Sequence, residues 1–190
     1  MTTLRIDKPL LEAMHLVKGQ PNKEWRGWML GICFAADGQV FATNGHVLAA
    51  SPGYPVEDKP EGFAGVCLEI PKTPANLKKY EQVVISLDEG LARYLDDQGN
   101  ELGVQAVKRV ETPQGLPKVG AVIERPPAEP QNEFVFNPGY LAMIEKIALL
   151  FEKKLEKKIY VRIRGTDNCA FIAYPTCGVE IRFMVAPIKV

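Results

Sequence analysis

Apolar and polar positions along the chain form a pattern that begins three times. Leu4-Arg5-Ile6 alternates like a short strand, Asp7 then offers a helix N-cap, and Pro9 sits in a first helical turn where its missing N–H costs nothing. Leu10, Leu11, Met14 and Val17 follow at helical spacing, and Gly19 ends the predicted helix. A polar loop over 20–26 leads to two strands, 28–34 and 39–43, joined at the two-residue hairpin signal Asp37-Gly38. Asn44-Gly45, a dipeptide that readily takes positive φ, closes the second strand and leads into His46.

The opening returns after a Pro/Gly-rich connector over 51–62. Val66-Cys67-Leu68-Glu69-Ile70 reads as a strand and 71–80 as a short helix containing Pro74, Leu77 and Lys78. Strands over 83–87, 90–95 and 101–107 follow, the last two joined by Asp96-Asp97-Gln98-Gly99-Asn100, and 108–123 reads as turn-rich. Arg125-Pro126-Pro127-Ala128-Glu129-Pro130 has the composition of a stiff, extended linker. Phe134-Val135-Phe136 then restarts the pattern, with Asn137 as cap and Pro138 as the first residue of a helix reaching about Lys158. The first half of that helix is apolar almost all round (Leu141, Met143, Ile144, Ile147, Leu149, Leu150), which predicts deep burial. Its second half turns basic, with Lys153, Lys154, Lys157 and Lys158 against Glu152 and Glu156, and strands over 159–164, 169–174 and 179–186 complete the unit.

A repeat of roughly 60 residues, each strand, capped helix, then two or three antiparallel strands, predicts an α+β fold with helices on one face of antiparallel sheets. The predicted organisation is a domain over 1–125 made of two units, 1–58 and 62–125, followed by an additional half-domain over 131–190.

Composition narrows the chemistry. The chain has 190 residues, 46% hydrophobic and 24% charged, with Lys+Arg and Asp+Glu at 23 each. No global field therefore draws it to nucleic acid, and any such affinity requires charge segregated on one face. The N-terminal residues lack the apolar core of a signal peptide and no apolar run is long enough to span a bilayer, so a cytoplasmic location without membrane contact is expected. Cys33, Cys67, Cys169 and Cys177 are scattered without a Cys-x-x-Cys pair, which favours buried free thiols over a zinc site. Ser51 and Ser86 lie outside any Gly-x-Ser-x-Gly elbow, and no Gly-rich phosphate loop occurs. His46 after a forced turn suits a general base, a metal ligand with Cys33 or Asp37, or a packed side chain. Neither His46 nor His15 has a second histidine or paired carboxylates at catalytic or metal-ligating spacing. No enzymatic activity, metal or cofactor is expected.

Five segments resemble one family in its order. Ala42-Thr43-Asn44-Gly45-His46-Val47-Leu48-Ala49 is similar to the Ala-Thr-Asp-Gly-His-Arg-Leu-Ala stretch of the bacterial DNA polymerase III beta subunit, the sliding clamp. Ile70-Pro71-Lys72 resembles that family's Val/Ile-Pro-Arg/Lys step into its next helix. Leu116-Pro117-Lys118-Val119-Gly120-Ala121-Val122-Ile123 resembles Phe-Pro-Asp-Tyr-x-x-Val-Ile, and Phe136-Asn137-Pro138-Gly139-Tyr140-Leu141 resembles Phe-Asn-x-x-Tyr-Leu. Met184-Val185-Ala186-Pro187-Ile188-Lys189-Val190 is similar to the family's Val-Val-Met-Pro-Met-Arg-Leu terminus. Asn44 and Val47 depart from the family's Asp and Arg, and Ala186, Ile188 and Lys189 replace Met, Met and Arg.

The resemblance implies a DNA-clamp-like fold and a role exercised by binding, as a processivity-type accessory of DNA replication. It implies a peptide groove formed by Thr43, Gly45, His46, Leu48, Pro117, Val122, Met184, Val185, Pro187 and Ile188, where replication or polymerase proteins insert a short hydrophobic motif. Val47 lacks the guanidinium available for a peptide carbonyl, which shifts partner preference. It also implies a face contacting double-stranded DNA without sequence specificity, with candidates Lys23, Trp25, Arg26, Lys72, Lys78, Lys79, Lys153, Lys154, Lys157 and Lys158. The family closes rings of twelve units, so a ring of this three-unit chain would be a homo-oligomer of four copies. The alternative is a monomeric protein-interaction module of mobile-element origin that keeps the fold without encircling DNA.

Overall fold

The computed structural model describes residues 2–21, 26–51, 62–112, 115–119 and 137–151, with the strand backbones at 161–162, 172–173 and 182–185. Two antiparallel sheets dominate. Strand β1 (Thr3–Asp7) pairs with β6 (Gln82–Ser86), which continues through β7 (Leu91–Leu95) to β8 (Glu101–Ala106). The second sheet runs β12 (Arg182–Val185), β4 (Val47–Ser51), β3 (Val40–Thr43), β2 (Ile32–Phe34), β5 (Val66–Glu69), β9 (Lys108–Val110). A two-stranded pair, β10 (Val161–Arg162) with β11 (Ile172–Ala173), stands apart from both.

The helix α1 (Lys8–Val17) forms where Leu10, Leu11, Met14 and Val17 predict it, and all four are buried. Its start differs from expectation. Asp7 remains the last strand residue and makes no capping bond; its carboxylate accepts from Gln82 Nε2 at 3.2 Å instead. The β1–β6 ladder has claimed the residue that local sequence assigns to the helix. At the other end, Gly19 N–H donates to Met29 O at 2.7 Å, which turns the chain away from the helix axis.

The strand expected over 28–34 is shorter, because residues Gly27–Leu30 form a 3₁₀ turn and β2 begins at Ile32. The following hairpin is present, but its loop holds three residues rather than two. Gly38 N–H donates to Ala35 O, Ala35 N–H to Gln39 O, and Gly38 takes φ 90°. The helix expected over 71–80 is replaced by a single 3₁₀ turn at Ala75–Leu77. Proline is tolerated only in a first helical turn, so Pro74 leaves too few residues for a helix before β6. Lys78 and Lys79 are therefore not helical. Leu77 and Tyr80 nevertheless plug the core, Tyr80 standing edge-on to Tyr94 with centroids 5.1 Å apart. Residues 108–110, expected as turn, form β9 and carry the chain from one sheet to the other.

Residues 71–80 thus form no α-helix, and α1 packs against α2 (Pro138–Phe151) of the third unit. Asn137 caps α2 as its sequence predicts, its Oδ1 accepting from Gly139 N–H at 2.9 Å. The deep burial expected of this helix is limited to one stripe, Ile144, Ile147 and Ala148; Leu141 and Leu149 remain 38% and 44% exposed. Residues 153–158 lie outside the described residues, as does the strand expected over 134–136. No described helix is long and apolar enough to cross a membrane.

The two sheets differ in how they are covered. Strands β1, β6 and β7 alternate buried and half-buried positions, whereas β2 and β3 are buried throughout. The six-stranded sheet accounts for this by having a core on each face. Ile32, Phe34, Val40, Ala42, Val47 and Ala49 meet the helices and the other sheet. Cys33, Phe41, Ala50 and Cys67 meet Val119, with Trp28, Leu48, Val110 and Leu116 packed around them. A strand buried on both faces loses its polar alternation, as in sheets covered on both sides.

Ile147 is fully buried, so Ile147→Ala should cost about 2–5 kcal/mol in urea unfolding, while Leu149→Ala on the exposed side should cost about 0.5 kcal/mol or less. Equal losses at the two positions would show that both sides of α2 are covered.

Candidate functional site

The turn between β3 and β4 is held by its own side chains. Thr43 Oγ1 donates to Val47 O at 2.7 Å and accepts from Gly45 N–H at 3.0 Å. Asn44 Oδ1 accepts from His46 N–H at 3.0 Å and from Val47 N–H at 2.9 Å, and Asn44 N–H closes the turn on Val47 O. Gly45 takes φ 85°, a region that disfavours side chains. The carboxamide oxygen of Asn44 is thus an acceptor for two backbone donors, the service a carboxylate could also give, and Val47 is buried against the helix-side core.

This turn presents His46 at the surface, where its ring stacks on Tyr140 from α2 with centroids 5.8 Å apart and planes 15° apart. Together they border a cleft of about 520 Å³ between the end of α1, the 3₁₀ turn and α2. Leu16, Met29 and Met143 supply apolar walls, and Lys18 and Arg26 add cations. Leu16 is 41% exposed here, beside the buried stripe of α1.

Among the groove residues expected from sequence, Thr43, Gly45 and His46 belong to this turn. Leu48 points its half-buried side chain to the second core face, where Leu116 and Val119 flank an exposed Pro117. Met184 and Val185 stand opposite Leu48 and Val47 in the β12–β4 register. Val122, Pro187 and Ile188 lie outside the described residues. The turn and the β4–β12 ladder thus share one edge of the six-stranded sheet, whereas the 115–119 segment packs on the second core face with Cys33 and Cys67, and neither Leu48 nor Pro117 lines the cleft. Sequence reasoning missed Tyr140, Met143 and Leu16. The Asn137-x-x-Tyr140 spacing held the signal, since the cap that starts α2 also fixes where its first aromatic stands.

Of the DNA-facing candidates, Arg26 lines the cleft, and Lys72, Lys78 and Lys79 are exposed. Lys23, Trp25, Lys153, Lys154, Lys157 and Lys158 lie outside the described residues. Lys72 also borders a second cavity of about 360 Å³ with Lys18, Glu69 and Lys108. Burial holds the Lys18 ammonium below its ordinary pKa, with Lys72 adding to the shift and Glu69 opposing it; its Nζ donates to Ile70 O at 3.1 Å. His15, one turn back on α1, is lowered to about 3, first by burial and then by Lys18 and Lys72. Both its ring nitrogens are buried without a hydrogen-bond partner. His15 is a half-buried imidazole whose neutral form burial favours.

Compared with solved structures, the chain is similar to the DNA polymerase III beta sliding clamp of Bartonella birtlesii bound to griselimycin. The match has a TM-score of 0.55 at 13% identity and covers 100% of this chain and 66% of that one. The beta chain of Streptococcus pneumoniae is matched at 12% identity over 100% of this chain and 65% of that chain, TM-score 0.45. A putative beta subunit from Eubacterium rectale is matched at 13% over 99% and 52%, TM-score 0.39. The chain spans just under two thirds of the Bartonella protein's length. No protein-family model and no curated protein matches the sequence. The two antiparallel sheets and their helices form a sliding-clamp-like α+β fold.

Asn44→Ala should destabilise the fold by about 1–2 kcal/mol by stripping two turn donors of their acceptor, while Asn44→Asp should stay within about 0.5 kcal/mol of the native chain in urea titrations. His15 gives a pH dependence. The unfolded chain takes up a proton on this ring near 6.5 and the folded chain only near 3, so stability falls as pH drops below about 6.5, by up to about 1.4 kcal/mol per unit. Between about pH 7 and pH 5 the native chain should lose about 2 kcal/mol more than His15→Leu does, read as the shift in urea midpoints; parallel profiles would refute the assignment.

Proposed function

We propose that this chain is a clamp-like accessory protein of DNA replication that acts by binding and catalyses no reaction. Its principal site is the cleft at the Thr43–Val47 turn, which takes a short hydrophobic segment of a replication or polymerase protein. The stack of His46 on Tyr140 beside the β4–β12 ladder is the observation that carries this reading. It borders a cleft of mixed polar and apolar lining beside the turn that ends β3, a setting suited to an extended peptide carrying both kinds of side chain. Asn44 preserves the turn in the absence of an aspartate. Val47 contributes packing where an arginine would contribute a donor, so the segment is held mainly by apolar contact.

The remainder of the reading concerns DNA. Exposed Lys72, Lys78 and Lys79, with Lys23, Arg26 and the lysines over 153–158, supply phosphate contacts that ignore base sequence and weaken with salt. A neutral chain with segregated charge achieves this when several copies surround one duplex, four copies supplying twelve units.

Fluorescence anisotropy with a labelled peptide of glutamine, leucine and phenylalanine residues tests the cleft. A Kd in the micromolar range is expected, weakened about tenfold or more by His46→Ala or Tyr140→Ala. Absence of binding by the native chain, or binding indifferent to both substitutions, would overturn the groove. Light scattering on the same samples reads the assembly: a mass of four chains supports the ring, and a stable monomer with and without DNA removes it while leaving the groove standing.

A further inference from the structure

Cys33 and Cys67 occupy directly opposed positions on β2 and β5 in the middle of the six-stranded sheet. The hydrogen-bonding phase of β2 can be worked out. Ala35 N–H donates to Gln39 O, so Ala35, and Cys33 two residues earlier, direct their backbone groups toward β3. Ile32 and Phe34 therefore bond toward β5, and Cys33–Cys67 is a non-hydrogen-bonded pair. Such pairs hold their Cα atoms about 4.5 Å apart with the side chains on one face, within the range a disulfide spans. The thiols already touch: Cys33 is hydrogen-bonded to Cys67, and Cys67 Sγ donates to Trp28 O at 3.3 Å. Gly31 makes room for the second sulfur, since a Cβ at that position would collide with Cys67 Sγ. Both side chains are free thiols and 1% exposed.

We infer that Cys33 and Cys67 form a reversible cross-strand disulfide, a covalent modification site that ties the first unit to the second. The oxidant is a small peroxide, because the pair is reached through local opening of a packed face and a bulky disulfide reagent is not admitted. Cys67 sulfur attacks one peroxide oxygen and becomes a sulfenic acid, releasing water from hydrogen peroxide. Cys33 sulfur then attacks Cys67 sulfur, the S–O bond breaks, and the hydroxyl leaves with the Cys33 proton as a second water. Two thiols and one hydrogen peroxide thus give one disulfide and two waters. The hydrogen bond to Cys67 and burial hold the Cys33 thiol protonated, so it attacks only as its proton passes to the departing hydroxyl, and the pair stays reduced until peroxide arrives. The bond closes a loop of about 34 residues, the separation of 33 and 67, and restricts the unfolded chain accordingly.

The test uses the full chain carrying Cys169→Ser and Cys177→Ser, treated with hydrogen peroxide, then alkylated in denaturant and mapped by mass spectrometry. The expected product is a 33–67 linked peptide pair two mass units lighter than the dithiol. Circular dichroism should show retained secondary structure and a Tm raised by roughly 5–10 °C, both chemical changes reversing with dithiothreitol. Quantitative alkylation of both thiols after treatment, oxygen added to either sulfur without a link, or a link found only in material that has lost its circular dichroism signal would each overturn the inference. Cys33→Ala provides the control, and persistence of the Tm rise in it would also refute the tie.

Discussion

Neither of the first two units completes its own sheet, and that constraint organises the rest of the molecule. The opening strand of the first unit lies against β6 of the second, and the opening strand of the second lies against β2 of the first. The first unit thereby supplies an edge strand to the second unit's sheet, the second supplies β5 and β9 to the first's, and buried residues of both, from Leu4 and Ile6 to Val66 and Leu68, share the core between the sheets. The third unit attaches by the same means, β12 extending the sheet beyond β4 while α2 packs on α1. Backbone pairing gives each attachment a fixed register, and apolar burial between the sheets stabilises it.

This arrangement explains why a turn and a helix end from different units form one cleft. Thr43, Asn44 and Gly45 fix the turn locally, whereas Tyr140 comes from α2, which packs on α1, so its place beside His46 depends on long-range docking. Asn44 shows the complementary point, that a turn can exchange carboxylate for carboxamide when only acceptor oxygen is required.

Much of the fold was legible from residues. The first strand–proline–helix opening, the Asn137 cap and the strands of the four-stranded sheet in the second unit rest on short-range rules that the structure obeys. The failures share a physical cause. β4, with its sequence Val47-Leu48-Ala49-Ala50-Ser51, shows no alternation because both of its faces are covered, so a two-fold period never appears. β9 is three residues long and exists through pairing with β5, which local propensity does not register. Asp7 stands at the N-cap position of α1, but its carboxylate serves Gln82, a ladder partner 75 residues away, in place of the helix. The site divided the same way: the turn carries its own bonding instructions, whereas the aromatic that faces His46 depends on how distant units dock.

The β1–β6 ladder joins Thr3 to Ser86 and Asp7 to Gln82. During synthesis, therefore, the first strand leaves the ribosome well before the strand it must pair with. Until the chain has grown past β6, Leu4 and Ile6 have no sheet to enter, and the start of the protein waits as exposed apolar chain beside a helix with nothing to cover it. Long-range closures of this kind slow folding and lengthen the interval in which chaperones can bind. The order of translation thus leaves β1 unpaired until the strand it joins in the second unit has been made.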